Sequence, residues 1–140
     1  MIFSIWRIVA VNNTGVALAA GDSVSVNARI GQAALSNGAG SAPTTMTPIL
    51  TGGASLAAGA TLAGSTQNPT PGTNFVMGGD LHASASISTA TPNGTIDFYL
   101  QFYDDSGAGV WPAAGASGIW IGSLSFTTTG TQEADFSLGL

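Results

Sequence analysis

The chain predicts an all-β fold, an antiparallel β-sandwich of the jelly-roll or immunoglobulin-like kind with long Gly/Ala/Thr-rich loops, filling residues 1–140 as a single domain. Three observations lead there. Apolar residues recur with a period of two in several short runs, turn-forming residues separate those runs, and no stretch carries a persuasive helical pattern.

The first run, residues 3–11, sets Phe3, Ile5, Val9 and Val11 on one face with Arg7, and Trp6, Ile8 and Ala10 on the other. A strand apolar on both sides is expected. Asn12, Asn13, Thr14 and Gly15 tolerate a left-handed backbone and close a turn. Period two resumes at 23–30, where Val24, Val26, Ala28 and Ile30 align. Between Gly31 and Gly79 the period weakens and Gly, Ala, Ser, Thr and Pro dominate, which predicts loops carrying short strands. The alanines of 56–62 invite a helix, but Gly53, Gly59 and Gly64 would each cost it about 1 kcal/mol. A turn leading into a strand fits better, because the same Leu-Ala-Ala-Gly sequence begins at Leu18, just ahead of the clear strand at 23–30.

The last 60 residues are the best patterned. Leu81, Ala83, Ala85 and Ile87 alternate with His82, Ser84, Ser86 and Ser88, one face dry and one wet. Pro92, Asn93 and Gly94 turn the chain into the strongest strand, in which Ile96, Phe98, Leu100 and Phe102 alternate with Asp97, Tyr99, Gln101 and Tyr103. Asp104, Asp105, Ser106 and Gly107 end it. A Gly/Ala/Pro loop then leads to a strand over 119–128, with Trp120, Leu124 and Phe126 assigned to one face. A final strand over 132–138 points Ala134, Phe136 and Leu138 inward and Glu133 and Asp135 outward.

Composition narrows the function. Hydrophobic residues make up 44% of the chain, enough for a core without outside help, whereas charged residues make up only 6%. The cations are Arg7 and Arg29 alone, and the net charge is −5. Binding nucleic acid through its phosphates needs clustered Lys and Arg, so no nucleic-acid partner is expected. The absence of cysteine removes disulfides, thiolate metal sites and a Cys nucleophile. Residues 1–20 end in small residues, but Arg7 within the apolar run, the Asn12–Asn13 pair and the lack of a basic start argue against a signal peptide. No apolar stretch is long enough to cross a bilayer as a helix, so assembly without export and no membrane partner are expected.

The residues that carry chemistry elsewhere have plainer readings here. His82 stands on the polar face of a Ser-rich strand with no strained Gly-x-Ser-x-Gly elbow beside it, so a solvated or contact histidine is expected rather than a triad member. Asp104 and Asp105, with Asp97 a strand earlier, raise the idea of a calcium site or paired glycosidase carboxylates. Adjacent strand-end residues point apart, however, and Asp-Asp-Ser-Gly is turn chemistry. The Asn-Asn-Thr and Asn-Gly-Thr sequences at Asn12 and Asn93 match a glycosylation acceptor but fall in expected turns. No catalytic residue, cofactor or metal is assigned. Trp111 and Trp120, with Tyr99 and Tyr103, form either core anchors, a hot spot for a protein partner, or a platform for stacking sugars.

At Gly94-Thr95-Ile96-Asp97-Phe98-Tyr99-Leu100-Gln101, Asp104-Asp105-Ser106-Gly107, Trp111-Pro112 and Trp120-Ile121-Gly122-Ser123-Leu124, the chain resembles small structural proteins of tailed-phage virions. Those carry a strand like "GTVDLYL", an acidic-glycine turn and a later "xVGSF" strand followed by a terminal "FKxxxxNxTG" segment. This chain lacks that C-terminus and instead has Trp6-Arg7-Ile8-Val9-Ala10-Val11-Asn12-Asn13-Thr14-Gly15 near its start. The first strand is therefore expected to fill the last-strand position, in its own sandwich or a neighbour's.

The resemblance implies a non-enzymatic virion component, foremost a capsid decoration or cement protein touching the major capsid protein or other virion proteins, with a tail or fibre subunit as the alternative. A carbohydrate-binding adhesin module using Trp111 and Trp120 is the other reading. Twenty glycines raise the cost of ordering the loops, so neighbouring chains are expected to hold them, and a homo-oligomer, preferably a trimer, follows. Met1, Ile2, Phe3, Trp6, Trp111 and Trp120 are the expected interface residues.

Overall fold

The computed structural model describes residues 5–34, 40–41, 45–68, 74–88, 91–103, 111 and 118–138. Among these are nine strands and no helix: β1 (Trp6–Asn13), β2 (Ser23–Ala34), β3 (Gly40–Ser41), β4 (Thr47–Gly52), β5 (Thr61–Ala63), β6 (Asn74–Ile87), β7 (Gly94–Phe102), β8 (Ile119–Phe126) and β9 (Gly130–Leu138). All pairings are antiparallel. One sheet has the order β5-β1-β7-β8; the other runs β3-β2-β6-β9, with β4 also hydrogen-bonded to β2. The β-sandwich expected from the period-two runs is the observed fold.

The alternation explains which faces meet. Ile8 and Ala10 of β1, Ile96, Phe98 and Leu100 of β7, and Leu124 and Phe126 of β8 face Val24, Val26 and Ala28 of β2, Leu81, Ala83, Ala85 and Ile87 of β6, and Leu138 of β9. Alanines of β6 opposite the large rings of the other sheet let the layers interlock at close-packed density. Phe98 and Phe126 are fully buried, each stabilising the fold by about 1.5–3 kcal/mol. Phe136 of β9 stacks at a tilt on Phe98, with centroids 5.9 Å apart, and lies where Gly122 of β8 has no side chain.

Two strands are longer than their patterns suggest. β2 continues to Ala34 and β6 begins at Asn74, pairing with each other through a register shift next to Gly31. A shift of one residue moves side chains to the opposite face, which erases the alternation that a period-two reading depends on. The middle of the chain otherwise follows expectation: 56–62 turns, with Gly59 at φ 76°, and enters β5.

The segment 61–67 joins the two sheets along one flank. It runs beside β1, with Ala63 opposite Val9, Gly64 N–H donating to Ile8 O (2.8 Å) and Gln67 paired with Trp6. Ser65 meanwhile reaches across to the other sheet, its N–H (2.7 Å) and its hydroxyl (3.0 Å) both donating to Ile49 O of β4. Gly64 is the crossing point, where a Cβ would stand 2.5 Å from Ile49 O and 2.9 Å from Ile8 O.

Buried polar residues tie the loops to this frame. Asn12 is wholly enclosed; its Nδ2 donates to the carbonyls of Val16 (2.8 Å), Leu56 (3.1 Å) and Ala57 (3.1 Å), and its Oδ1 accepts from Thr14 N–H and hydroxyl. Asp22 accepts from Ala19 N–H (2.8 Å), Ser88 N–H (2.8 Å) and Ser88 Oγ (2.6 Å), fastening the β1–β2 loop to the end of β6. Burial opposes the Asp22 charge, but the Ser88 hydroxyl and the Ala19 and Ser88 N–H groups prevail, and the carboxyl is held below its ordinary value. A carboxylate depressed on folding stabilises above its unfolded pKa, about 3.9, and that stability is lost as pH falls through the lower folded value. Urea unfolding of the native chain is therefore expected to weaken below about pH 4 more steeply than that of Asp22→Asn, which has no charge to lose. Parallel curves for the two proteins would contradict this.

Candidate functional site

The outward face of the β5-β1-β7-β8 sheet gathers Asp97, Tyr99, Tyr103, Trp111 and Trp120 from among the residues singled out from sequence. Opposite the core rows, β1 presents Arg7, Val9 and Val11, and β7 presents Asp97, Tyr99 and Gln101, followed by Tyr103. This face is not simply wet: Val9 and Gln101 have no exposed area.

Trp111 accounts for part of that cover. The Arg7 guanidinium carbon lies 4.2 Å from the Trp111 ring centroid, and the Tyr103 ring meets it edge-on at 5.1 Å. Arg7 Nε also donates to Gln101 Oε1 at 3.0 Å. Desolvation pulls the Arg7 pKa down from its ordinary value. Guanidinium over indole contributes about 0.5–2 kcal/mol, more as water is excluded. Trp111 thus closes over its own protomer, half-buried, and one side of its ring is already occupied.

Trp120 does the opposite. Strict alternation places it with Leu124 and Phe126, which are buried, yet Trp120 is 59% exposed. The cause is a register shift: Phe98 pairs with Gly122 and Tyr99 with Trp120, so Ile121 is an extra residue in β8. The bulge turns Trp120 outward, onto the face of Tyr99 and Ser123. There its Nε1–H donates to Ser123 Oγ (3.2 Å), Ser123 Oγ donates to Asp97 Oδ1 (2.5 Å), and Asn13 Nδ2 donates to Asp97 Oδ2 (2.7 Å). This row gives the indole N–H a partner at the surface. Ile119, opposite Leu100 and so on the other face of the strand, is 58% exposed. The signal available in the sequence was Ile119-Trp120-Ile121, three large apolar residues in succession that a period-two strand cannot all send to one core.

No protein-family model, curated protein or solved structure matches this chain. The surface therefore has to be read from its own chemistry.

The remaining sequence candidates divide plainly. Trp6 is 1% exposed, enclosed in the core with Ile8 and Ala10, so the protomer itself buries the ring expected to meet a partner. Its period-two face is the core face. Among the described residues its Nε1 is the one buried side-chain nitrogen or oxygen without a hydrogen bond. Met1, Ile2, Phe3, Asp104 and Asp105 lie outside the described residues. β1, expected to take a last-strand position in its own or a neighbour's sandwich, lies between β5 and β7 of its own chain. His82 stands on the outer face of the other sheet, with Nδ1 2.8 Å from Asp135 Oδ1, and Arg29 pairs there with Asp80 at 2.6 Å. Among the described residues no three His, Cys, Asp or Glu side chains gather as metal ligands, and no helix is long and apolar enough to cross a membrane.

Proposed function

We propose that this chain is a non-enzymatic structural subunit of a tailed-phage virion, a capsid decoration or cement protein that works through protein–protein contact. The observation that carries the reading is the exposed Ile119–Trp120 pair, set on an edge strand whose eight residues include no charge. Exposed apolar surface beside an uncharged edge is the kind of surface on which contacts form, and tryptophan is enriched among the residues that dominate the energetics of protein contacts. The ion-poor exterior supports the same class, because few charges need to be stripped of water when such surfaces pack. The resemblance of 94–124 to small phage virion proteins supplies the assembly in which that contact is made. Virion localisation, contact with the major capsid protein and the tail or fibre alternative belong to this proposal together.

Mass spectrometry of gradient-purified particles from the phage encoding the chain tests it. The chain is expected at a fixed stoichiometry, and heads lacking it are expected to release their genome at lower temperature until purified protein is added back. Absence of the chain from particles would overturn the proposal. The adhesin alternative draws on Trp120 and Tyr99 rather than Trp111, whose ring Arg7 already covers; glycan-array binding abolished by Trp120→Ala would favour it.

A further inference from the structure

We infer that the outward face around Trp120 binds a neutral saccharide, the indole stacking on the C–H face of one sugar ring while Asp97, Asn13 and Tyr99 bond its hydroxyls. This goes beyond the virion reading. It rests on the adhesin alternative and makes it specific, by naming the polar partners and the charge class of the ligand.

The choice of a sugar comes from what surrounds the ring. A pyranose has an apolar C–H face and a rim of hydroxyls, so it suits an open aromatic ring beside fixed donors and acceptors. Trp120 is 59% exposed, and because its N–H is bonded to Ser123, what it offers a ligand is ring surface. Tyr99 stands directly opposite on β7, and such cross-strand neighbours begin about 4.5–5.5 Å apart at Cβ. The next outward pair along the same two strands is Asp97 and Ser123, and Asn13 reaches Asp97 from β1. Asp97 accepts one of these bonds on each oxygen, which leaves each a second lone pair for a ligand hydroxyl. Asn13 is exposed, and among the described residues neither its amide oxygen nor the Tyr99 hydroxyl has a hydrogen bond. Ring surface, carboxylate, amide and phenol therefore share one stretch of a sheet, and a rigid backbone has already met part of the ordering cost of binding.

Charge decides among the possible occupants. A dry contact over Trp120 would also take the half-buried Asp97 carboxylate further from water with no cation to pair it. β8 has no charge, and Arg7, the cation of this face, is bonded to Gln101 and lies over Trp111. Sugar hydroxyls instead take the place of the water that the carboxylate keeps. The same negative charge repels carboxylated and sulfated sugars, which makes the ligand a neutral one. Ile119, on the other face of β8, lies outside this site.

The test displays the full chain on streptavidin, where many copies reinforce a weak single contact, over an array of neutral and acidic glycans. Neutral glycans are expected to be bound and acidic ones refused. Trp120→Ala is expected to weaken binding at least about tenfold, and Ile119→Ala to leave it unchanged. Both side chains are exposed, so circular dichroism and thermal midpoint are expected to stay the same in each variant. Asp97→Asn removes the charge at constant size and is expected to admit acidic glycans. An array with no glycan bound would overturn this inference and the adhesin reading together, as would a dimer in sedimentation that Trp120→Ala dissociates, which would give the ring to a second copy. Binding that survives Trp120→Ala, or a native preference for acidic glycans, would overturn the inference alone. The virion reading stands or falls separately, on whether particles contain the chain.

Discussion

Replacing Asn12 by alanine is expected to cost about 3–5 kcal/mol of folding stability, a large share of the roughly 5–15 kcal/mol that a domain has. The side chain has no exposed area, and five bonds converge on it: the carbonyls of Val16, Leu56 and Ala57 receive its Nδ2, and Thr14 gives both its N–H and its hydroxyl to the Oδ1. Each buried group left unsatisfied costs about 1–3 kcal/mol, and truncating a buried side chain adds the cost of the cavity left behind. Asn12→Asp is expected to be at least as damaging, because an oxygen would then face the carbonyls of Val16, Leu56 and Ala57. The neighbouring Asn13, exposed and bonded to Asp97, is the internal control. Its alanine variant is expected to stay within about 1 kcal/mol. Urea titration followed by tryptophan fluorescence measures all three, and an Asn12→Ala midpoint close to native would show that the loops at 14–18 and 53–60 do not depend on this residue.

The second large effect is expected at Gly64. An alanine there would press its Cβ against Ile49 O and Ile8 O, one backbone carbonyl from each sheet, and against Leu50 Cβ at 3.1 Å. Backbone atoms cannot rotate aside as a side chain does, so the segment must lift. Lifting it breaks the Gly64–Ile8 and Ser65–Ile49 bonds that hold the sheets together on that flank. Overpacking of this kind costs about 1–3 kcal/mol, and the lost backbone bonds add to it. Gly21→Ala provides the contrast: nothing lies within 4 Å of its Cβ position and its φ is not in the left-handed region. That change is expected to move stability by less than about 0.5 kcal/mol. If Gly64→Ala matched Gly21→Ala, the crossing at Gly64 would have no role in joining the layers.

The sequence made the sandwich legible because its core rows are clean. β7 alternates from Ile96 to Phe102 without interruption, and the ends of β1, β2, β6 and β9 that carry the core follow the same rule. Legibility failed wherever the backbone departed from period two. The extra Ile121 in β8 put Trp120 on the wrong side of the expected strand, and the shift beside Gly31 hid the far halves of β2 and β6. A bulge has no single-residue signature; it is fixed by what the opposite strand and sheet will accept. Asn12 and Asp22 were missed for a related reason. Asn in a turn and Asp before a strand are ordinary local choices, and only tertiary contacts with 56–57 and Ser88 reveal them as buried locks. Trp111 and Trp120 looked alike in the sequence. Their contrast, one ring folded onto Arg7 and one open, depends on which loop or bulge carries it.

The crossing of segment 61–67 from one layer to the other also guards a flank of the sandwich. A sandwich open on both flanks is a two-ended brick, and such bricks stack edge to edge into fibres. By stitching that side shut with its own backbone, the chain uses up the Ile8 and Ile49 carbonyls there, so a foreign strand has no row to extend along this flank.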